Sequence, residues 1–61
     1  MNVEQYDRIQ LISGETGYVV EVLEKNKAFI VDVERNNDYD NEIVFYDHVK
    51  KIIKKHSAKN L

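Results

Sequence analysis

Cysteine, proline and tryptophan are absent from these 61 residues, and glycine occurs only twice. Without cysteine there is no disulfide framework, no thiolate metal site and no thiol nucleophile. Long apolar runs are also missing: none approaches the roughly 18 residues a membrane span needs. The opening Met1-Asn2-Val3-Glu4-Gln5 has neither the basic nor the apolar region of a signal peptide. These absences predict a soluble, cytoplasmic protein that does not meet a membrane. Disorder is excluded as well, because 43% of the residues are hydrophobic and six are aromatic. A chain this short forms one domain with a thin core, so a partner or a second copy would help it.

Charge is unevenly spread. Residues 1–49 hold all eleven acids and four bases (Arg8, Lys25, Lys27, Arg35), a net −7. Residues 50–61 hold five lysines and no acid, a net +5. A nucleic-acid-binding domain normally shows a basic body. Here only the end is basic, so nucleic acid is expected to bind weakly, through Lys50, Lys51, Lys54 and Lys55. A solvated terminus that aids solubility is the plainer reading of the same lysines.

Eight valines and six isoleucines favour strands. Arg8 to Ile12 alternates, with Ile9 and Leu11 on one face. Ser13-Gly14-Glu15-Thr16 reads as a turn, and Gly17 to Leu23 as a second strand with Val20 and Val22 inward. Glu24-Lys25-Asn26-Lys27 is a tight polar turn in which Asn26 can take positive φ. Ala28 to Glu34 alternates, with Phe29, Val31 and Val33 inward. Arg35 to Asn41 reads as an Asn/Asp-rich loop, and Glu42 to Tyr46 as a fourth strand with Ile43 and Phe45 inward. The end allows two readings. Asp47 to Val49 forms a 3₁₀ turn before a short strand from Lys51 to Lys54, or Asp47 caps a helix through Lys59. The turn and strand are preferred, because they close a barrel and remove a sheet edge. The expectation is an all-β, five-stranded antiparallel barrel over 1–54 and a basic tail over 55–61.

Two segments, Asp7-Arg8-Ile9-Gln10-Leu11 and the G-x-x-G-x-V-x-x-V run from Gly14 to Val22, resemble the small SH3-like barrels, especially the KOW type. The chain also resembles a group of stand-alone bacterial barrels that start with Tyr-Asp and end in a turn and strand like Asp47 to Ile53. The likeness covers Tyr6 to Ile53 and implies a small barrel. Such barrels serve as RNA, ribosome, peptide and inhibitor modules. KOW proteins that contact RNA usually carry basic residues around the first turn, where this chain has Ser13 and Glu15.

Chemistry is sparse. Neither His48 nor His56 has a serine beside it in sequence, other than Ser57 in the tail, and two histidines without cysteines make a poor zinc site. His48 is expected to be partly buried, His56 solvated. Asp38-Tyr39-Asp40-Asn41-Glu42 has the alternating carboxylates of a calcium loop but lacks its glycine and closing glutamate. No cofactor, metal or catalytic activity is expected.

If Ile43 and Phe45 point inward, strand alternation puts Ile30 and Val44 outward, on one face with Asp32, Glu34 and Glu42. Val19 or Leu23 joins this stripe. The chain's own ends (Val3, Tyr6, Ile53, Leu61) could cover it. Otherwise it is a homodimer face or a partner-binding face, with Tyr18, Tyr39 and Tyr46 as anchors and Asp38, Asp40 and Glu42 supplying charge. The function expected is a non-catalytic module that binds another protein with a basic surface, as an inhibitor, antitoxin-like or phage anti-defence protein. A KOW-like RNA- or ribosome-associated accessory and a structural homo-oligomer are the alternatives.

Overall fold

The structure, a computed structural model of the chain, describes residues 1–56. Its strands are set by turns at left-handed residues. Gly14 (φ 94°) turns the chain between β1 (Arg8–Leu11) and β2 (Thr16–Glu24). Asn26 (φ 59°) turns it between β2 and β3 (Ala28–Arg35), as expected. Asn36 and Asn37 (φ 50° and 64°) form a two-residue turn into β4 (Asp38–Phe45). Positive φ at both central residues matches the right-handed twist of a hairpin. The expected loop over 35–41 is therefore a tight turn inside a long hairpin. A 3₁₀ turn, Tyr46–His48, leads into β5 (Val49–Lys54), so the turn-and-strand reading holds and the helix reading fails. His48 lies exposed in that turn rather than partly buried.

All five strands run antiparallel in one sheet, in the order β4-β3-β2-β1-β5. The all-β architecture is as expected, but the barrel is not closed: β4 and β5 stay at opposite edges. The sheet instead curls around a core to which every strand contributes. Val3, Ile9, Leu11, Val19, Phe29, Val31, Val33, Val44 and Val49 form that core, with Val22, Tyr46 and Ile52 packed against it. Among the described residues no helix is long and apolar enough to cross a membrane.

Three expected core positions are corrected. Ile43 and Phe45 point outward, and Val44 is buried. The Asn36-Asn37 turn pairs Arg35 with Asp38, and counting back along the ladder places Val44 opposite Phe29 and Ile43 opposite Ile30. In β2, Val19 is fully buried and Val20 only half-buried. The register with β3 shifts between Val19 and Glu21, and the extra residue changes which side chains face the core.

Gly17 is required by close strand packing. A Cβ there would sit 2.5 Å from the Asp32 carbonyl oxygen and 2.9 Å from a Val31 methyl. Only glycine lets β2 and β3 approach this closely.

The N-terminal segment packs into the fold rather than over the outer face. Val3 enters the core, and Gln5 Nε2 donates to the Val20 carbonyl at 3.0 Å. Asp7, with 0% exposure, ties this segment to the chain beyond β5. It accepts bonds from the backbone N–H of Glu4 (2.9 Å) and of His56 (2.9 Å), and from Lys55 Nζ (2.7 Å). Burial alone would raise the Asp7 pKa, but these donors and the Lys55 charge outweigh it, so the carboxyl lies below its ordinary value. Lys55 also donates to the Asn2 carbonyl at 2.7 Å and pairs with Glu4 at 2.8 Å. Of the expected basic tail over 55–61, Lys55 and His56 are thus pinned, and positions 57–61 lie outside the described residues.

Candidate binding surface

The outer side of the β3–β4 hairpin is its least covered apolar surface. Ile43 and Phe45 are 61% and 56% exposed. Across the ladder they face Ile30, which is half-buried, and Ala28. Val44, expected on this surface, is 5% exposed and packs in the core. The outward positions therefore belong to Ile30, Ile43 and Phe45. A shallow, open cleft of about 570 Å³ lies beside Phe45, with Lys27, Ala28, Tyr46, Asp47 and His48 among its lining residues. None of the N-terminal residues expected to cover this surface lies on it: Val3 is in the core, and Tyr6 lines a different cleft.

Further along the same outer face the side chains turn polar. Asn41 donates to Asp32 at 2.9 Å. Glu34 accepts from the Thr16 hydroxyl at 2.7 Å and from Arg8 at 2.8 Å. Both bonds, Thr16 first, hold the Glu34 carboxyl below its ordinary value. Tyr18 and Tyr39 are exposed here, with ring centroids 6.5 Å apart. Tyr46 borders the cleft beside Phe45 but is not a free anchor. Its ring packs 6.4 Å from Phe29, and its hydroxyl donates to the Met1 carbonyl and accepts from the Met1 amino group.

The remaining acids project on the other side. Asp38, Asp40 and Glu42 face Arg35, Val33 and Val31 across the ladder, so Glu42 does not share the face of Ile30 as expected. Past the core, Arg35 gathers three carboxylates. It grips Glu15 through two nitrogens at 2.6 and 3.0 Å, reaches Asp40 at 3.2 Å, and bonds Glu42 twice, once at 3.3 Å. The Arg35 bond keeps the Glu15 carboxyl low, and Glu15, Glu42 and Asp40 in turn raise the already high pKa of Arg35. One guanidinium against three carboxylates leaves two negative charges. Asp38, whose side chain accepts the Tyr39 N–H at 2.8 Å, adds a third. The hairpin rim is acidic whichever face is viewed.

A second cleft, of about 320 Å³, lies at the opposite end of the outer face between Tyr6, Arg8, Tyr18, Lys54, Lys55 and His56. It exists because β1 pairs with β5, placing Arg8 opposite Lys54. The Arg8 guanidinium sits 5.5 Å from the Tyr18 ring centre, and Tyr6 meets His56 edge-on at 5.3 Å. Tyr6 holds φ 71°, a strained backbone for a bulky residue. Most of the positive charge is already used, since Arg8 pairs with Glu34 and Lys55 with Asp7 and Glu4. Of the four lysines expected to meet nucleic acid, Lys50, Lys51 and Lys54 are exposed and make no ion pair among the described residues.

Among the described residues no three His, Cys, Asp or Glu side chains are grouped to hold a metal ion. Reading alternation alone missed Ile43, Phe45, Arg35 and Asp7. Ile43 and Phe45 could have been found by treating Asn36-Asn37 as a two-residue turn and counting outward. Nothing local signals the burial of Asp7 or the Arg8–Lys54 pair, because Lys55, His56 and Lys54 lie at the far end of the sequence. No protein-family model, curated protein or solved structure matches this chain.

Proposed function

We propose that this chain is a non-catalytic module that binds another protein through the outer side of the β3–β4 hairpin, in the manner of an inhibitor, an antitoxin or an anti-defence factor. The observation that carries the reading is the pair Ile43 and Phe45: two large apolar side chains, exposed side by side on a sheet face, with a cleft beside them. Large apolar groups ringed by one sign of charge suit a basic partner, the apolar centre supplying affinity and the acids steering the approach. The meander, the 3₁₀ turn and the short last strand support an SH3-like kinship with an opened barrel.

The test is capture from nuclease-treated host extract by the wild-type chain and by Phe45→Lys and Ile43→Lys. A basic protein held by the wild type and lost by both variants, with their folds intact by circular dichroism, supports the reading. A partner retained by both variants overturns it.

The aromatic–cationic cleft favours a second reading, weak binding of nucleic acid. With Lys55 spent on Asp7, three free lysines remain. At about 0.7–0.9 per phosphate, log K against log salt should then fall with a slope of about −2 to −3. A steeper slope, or binding that survives replacement of Lys50, Lys51 and Lys54, contradicts that assignment.

A further inference from the structure

We propose that β4 is a docking edge and that the partner adds a strand to it, as an extended segment carrying two large apolar side chains followed by two basic ones. The proposal rests on the partner reading above and names the chemistry of that partner. Among the described residues β4 pairs only with β3, so the other side of its backbone offers unpaired N–H and C=O groups. Such an edge is a ready template for another strand. The β3–β4 ladder runs through eight consecutive pairs, from Arg35–Asp38 to Ala28–Phe45, without a register shift. A straight eight-residue edge without proline or lysine is what strand addition requires. The opposite edge differs on each count: β5 carries Lys50, Lys51 and Lys54, and its register with β1 shifts twice. Lysines and bulges are the devices by which edges are protected from pairing.

Alternation along β4 then specifies the occupant. Phe45 and Ile43 lie on the outer face; Val44, Glu42, Asp40 and Asp38 lie on the other. For a segment antiparallel to β4, let position n sit opposite Phe45. Positions n and n+2 then share the outer face with Phe45 and Ile43. Positions n+3 and n+5 come opposite Glu42 and Asp40, whose excess negative charge selects lysine or arginine. The pattern is apolar, any, apolar, basic, any, basic. A second copy of this chain would bring the same acidic rim to the contact, which disfavours self-pairing through β4.

The probe is a synthetic peptide with isoleucine at n and n+2, lysine at n+3 and n+5, and threonine elsewhere, titrated against the full chain by fluorescence anisotropy. Two forms carry backbone N-methyl groups on alternate residues in opposite phases. Strand addition predicts that one phase weakens binding by about tenfold or more while the other leaves it intact, because only alternate amides face β4. Glutamate in place of both lysines should also weaken binding by about tenfold. Equal affinity of the two methylated forms overturns strand addition, while loss in Phe45→Lys would still uphold binding by the face. If Phe45→Lys and Ile43→Lys bind the peptide as the wild type does, the partner reading falls too. Concentration-dependent doubling of mass that the peptide reverses would assign the edge to a second copy instead.

Discussion

The two edges of this sheet belong to one small core yet are built in opposite ways. β5 is lysine-rich, twice bulged and anchored beyond its end by Lys55 and His56 on Asp7. β4 is unbulged, acidic along its first half and apolar along its second. A single domain has to keep its edges from pairing at random. This chain guards one edge with lysines and bulges and leaves the other unbulged and acidic. Exposure alone would not separate the two edges, since both are ends of the same curled sheet; register and side chains do.

The most severe way to break the comparison is to remove the core beneath both edges. Phe29 is 0% exposed and Phe45 is 56% exposed, although each is a phenylalanine in the same hairpin. Phe29→Ala should cost about 3–5 kcal/mol and unfold a domain with so little margin. Phe45→Ala should change stability by about 0.5 kcal/mol or less. Thermal melts of the two variants decide this, and equal losses would mean that Phe45 is not a surface residue.

Gly17→Ala acts where β2 meets β3, between the two edges. Its Cβ would strike the Asp32 carbonyl and a Val31 methyl, so the backbone must move. A loss of about 1–3 kcal/mol is expected in chemical denaturation. Unchanged stability would show that the strands can separate freely there.

The neighbouring lysines sharpen the account of the β5 edge. Lys55→Ala removes a donor from a buried carboxylate and should cost about 1 kcal/mol, the low end because the ammonium is partly exposed. Lys54→Ala should change stability by about 0.5 kcal/mol or less. Equal effects would contradict the anchoring of Lys55 by Asp7.

Acid acts on the same bonds. The folded pKa values of Asp7, Glu15 and Glu34 lie below their ordinary 3.8, 4.5 and 4.5. A depressed carboxyl stabilises the fold fully above its unfolded pKa, and that contribution is lost as pH falls through the folded value. Denaturation midpoints should therefore hold steady near neutrality and drop below about pH 4. Lys55 is shifted up from 10.5, so its contribution is complete below that value and is lost at more alkaline pH. In Lys55→Ala the acid-side drop should be shallower, since Asp7 then has less to lose.

The architecture was largely legible in the residues. Phe29, Val31 and Val33 alternate cleanly with polar neighbours, and they are buried as their spacing says. Gly14 and Asn26 marked their turns. β4 was not legible from alternation, because Ile43-Val44-Phe45-Tyr46 is apolar on both faces and carries no phase of its own. Its phase comes from the Asn36-Asn37 turn, two residues that look like part of a longer polar loop. β2 was misread in its first half because a bulge has no signature among consecutive valines. Closure was not legible either: β4 and β5, joined by a three-residue turn, pair with β3 and β1 and not with each other, which no local pattern announces. The expected outer face inherited these errors. Ile30 was placed correctly, Val44 was exchanged for Ile43 and Phe45, and Tyr46 proved to be bound to the N-terminus.

Amide hydrogen exchange with and without the apolar–basic peptide tests the contrast between the edges most directly. Its site-resolved protection separates β4 from β5 in one experiment. The account predicts that alternate amides of Asp38–Phe45 become protected when the peptide binds, while those of Val49–Lys54 exchange as before. Protection at β5, or binding that leaves the β4 amides unchanged, would contradict it.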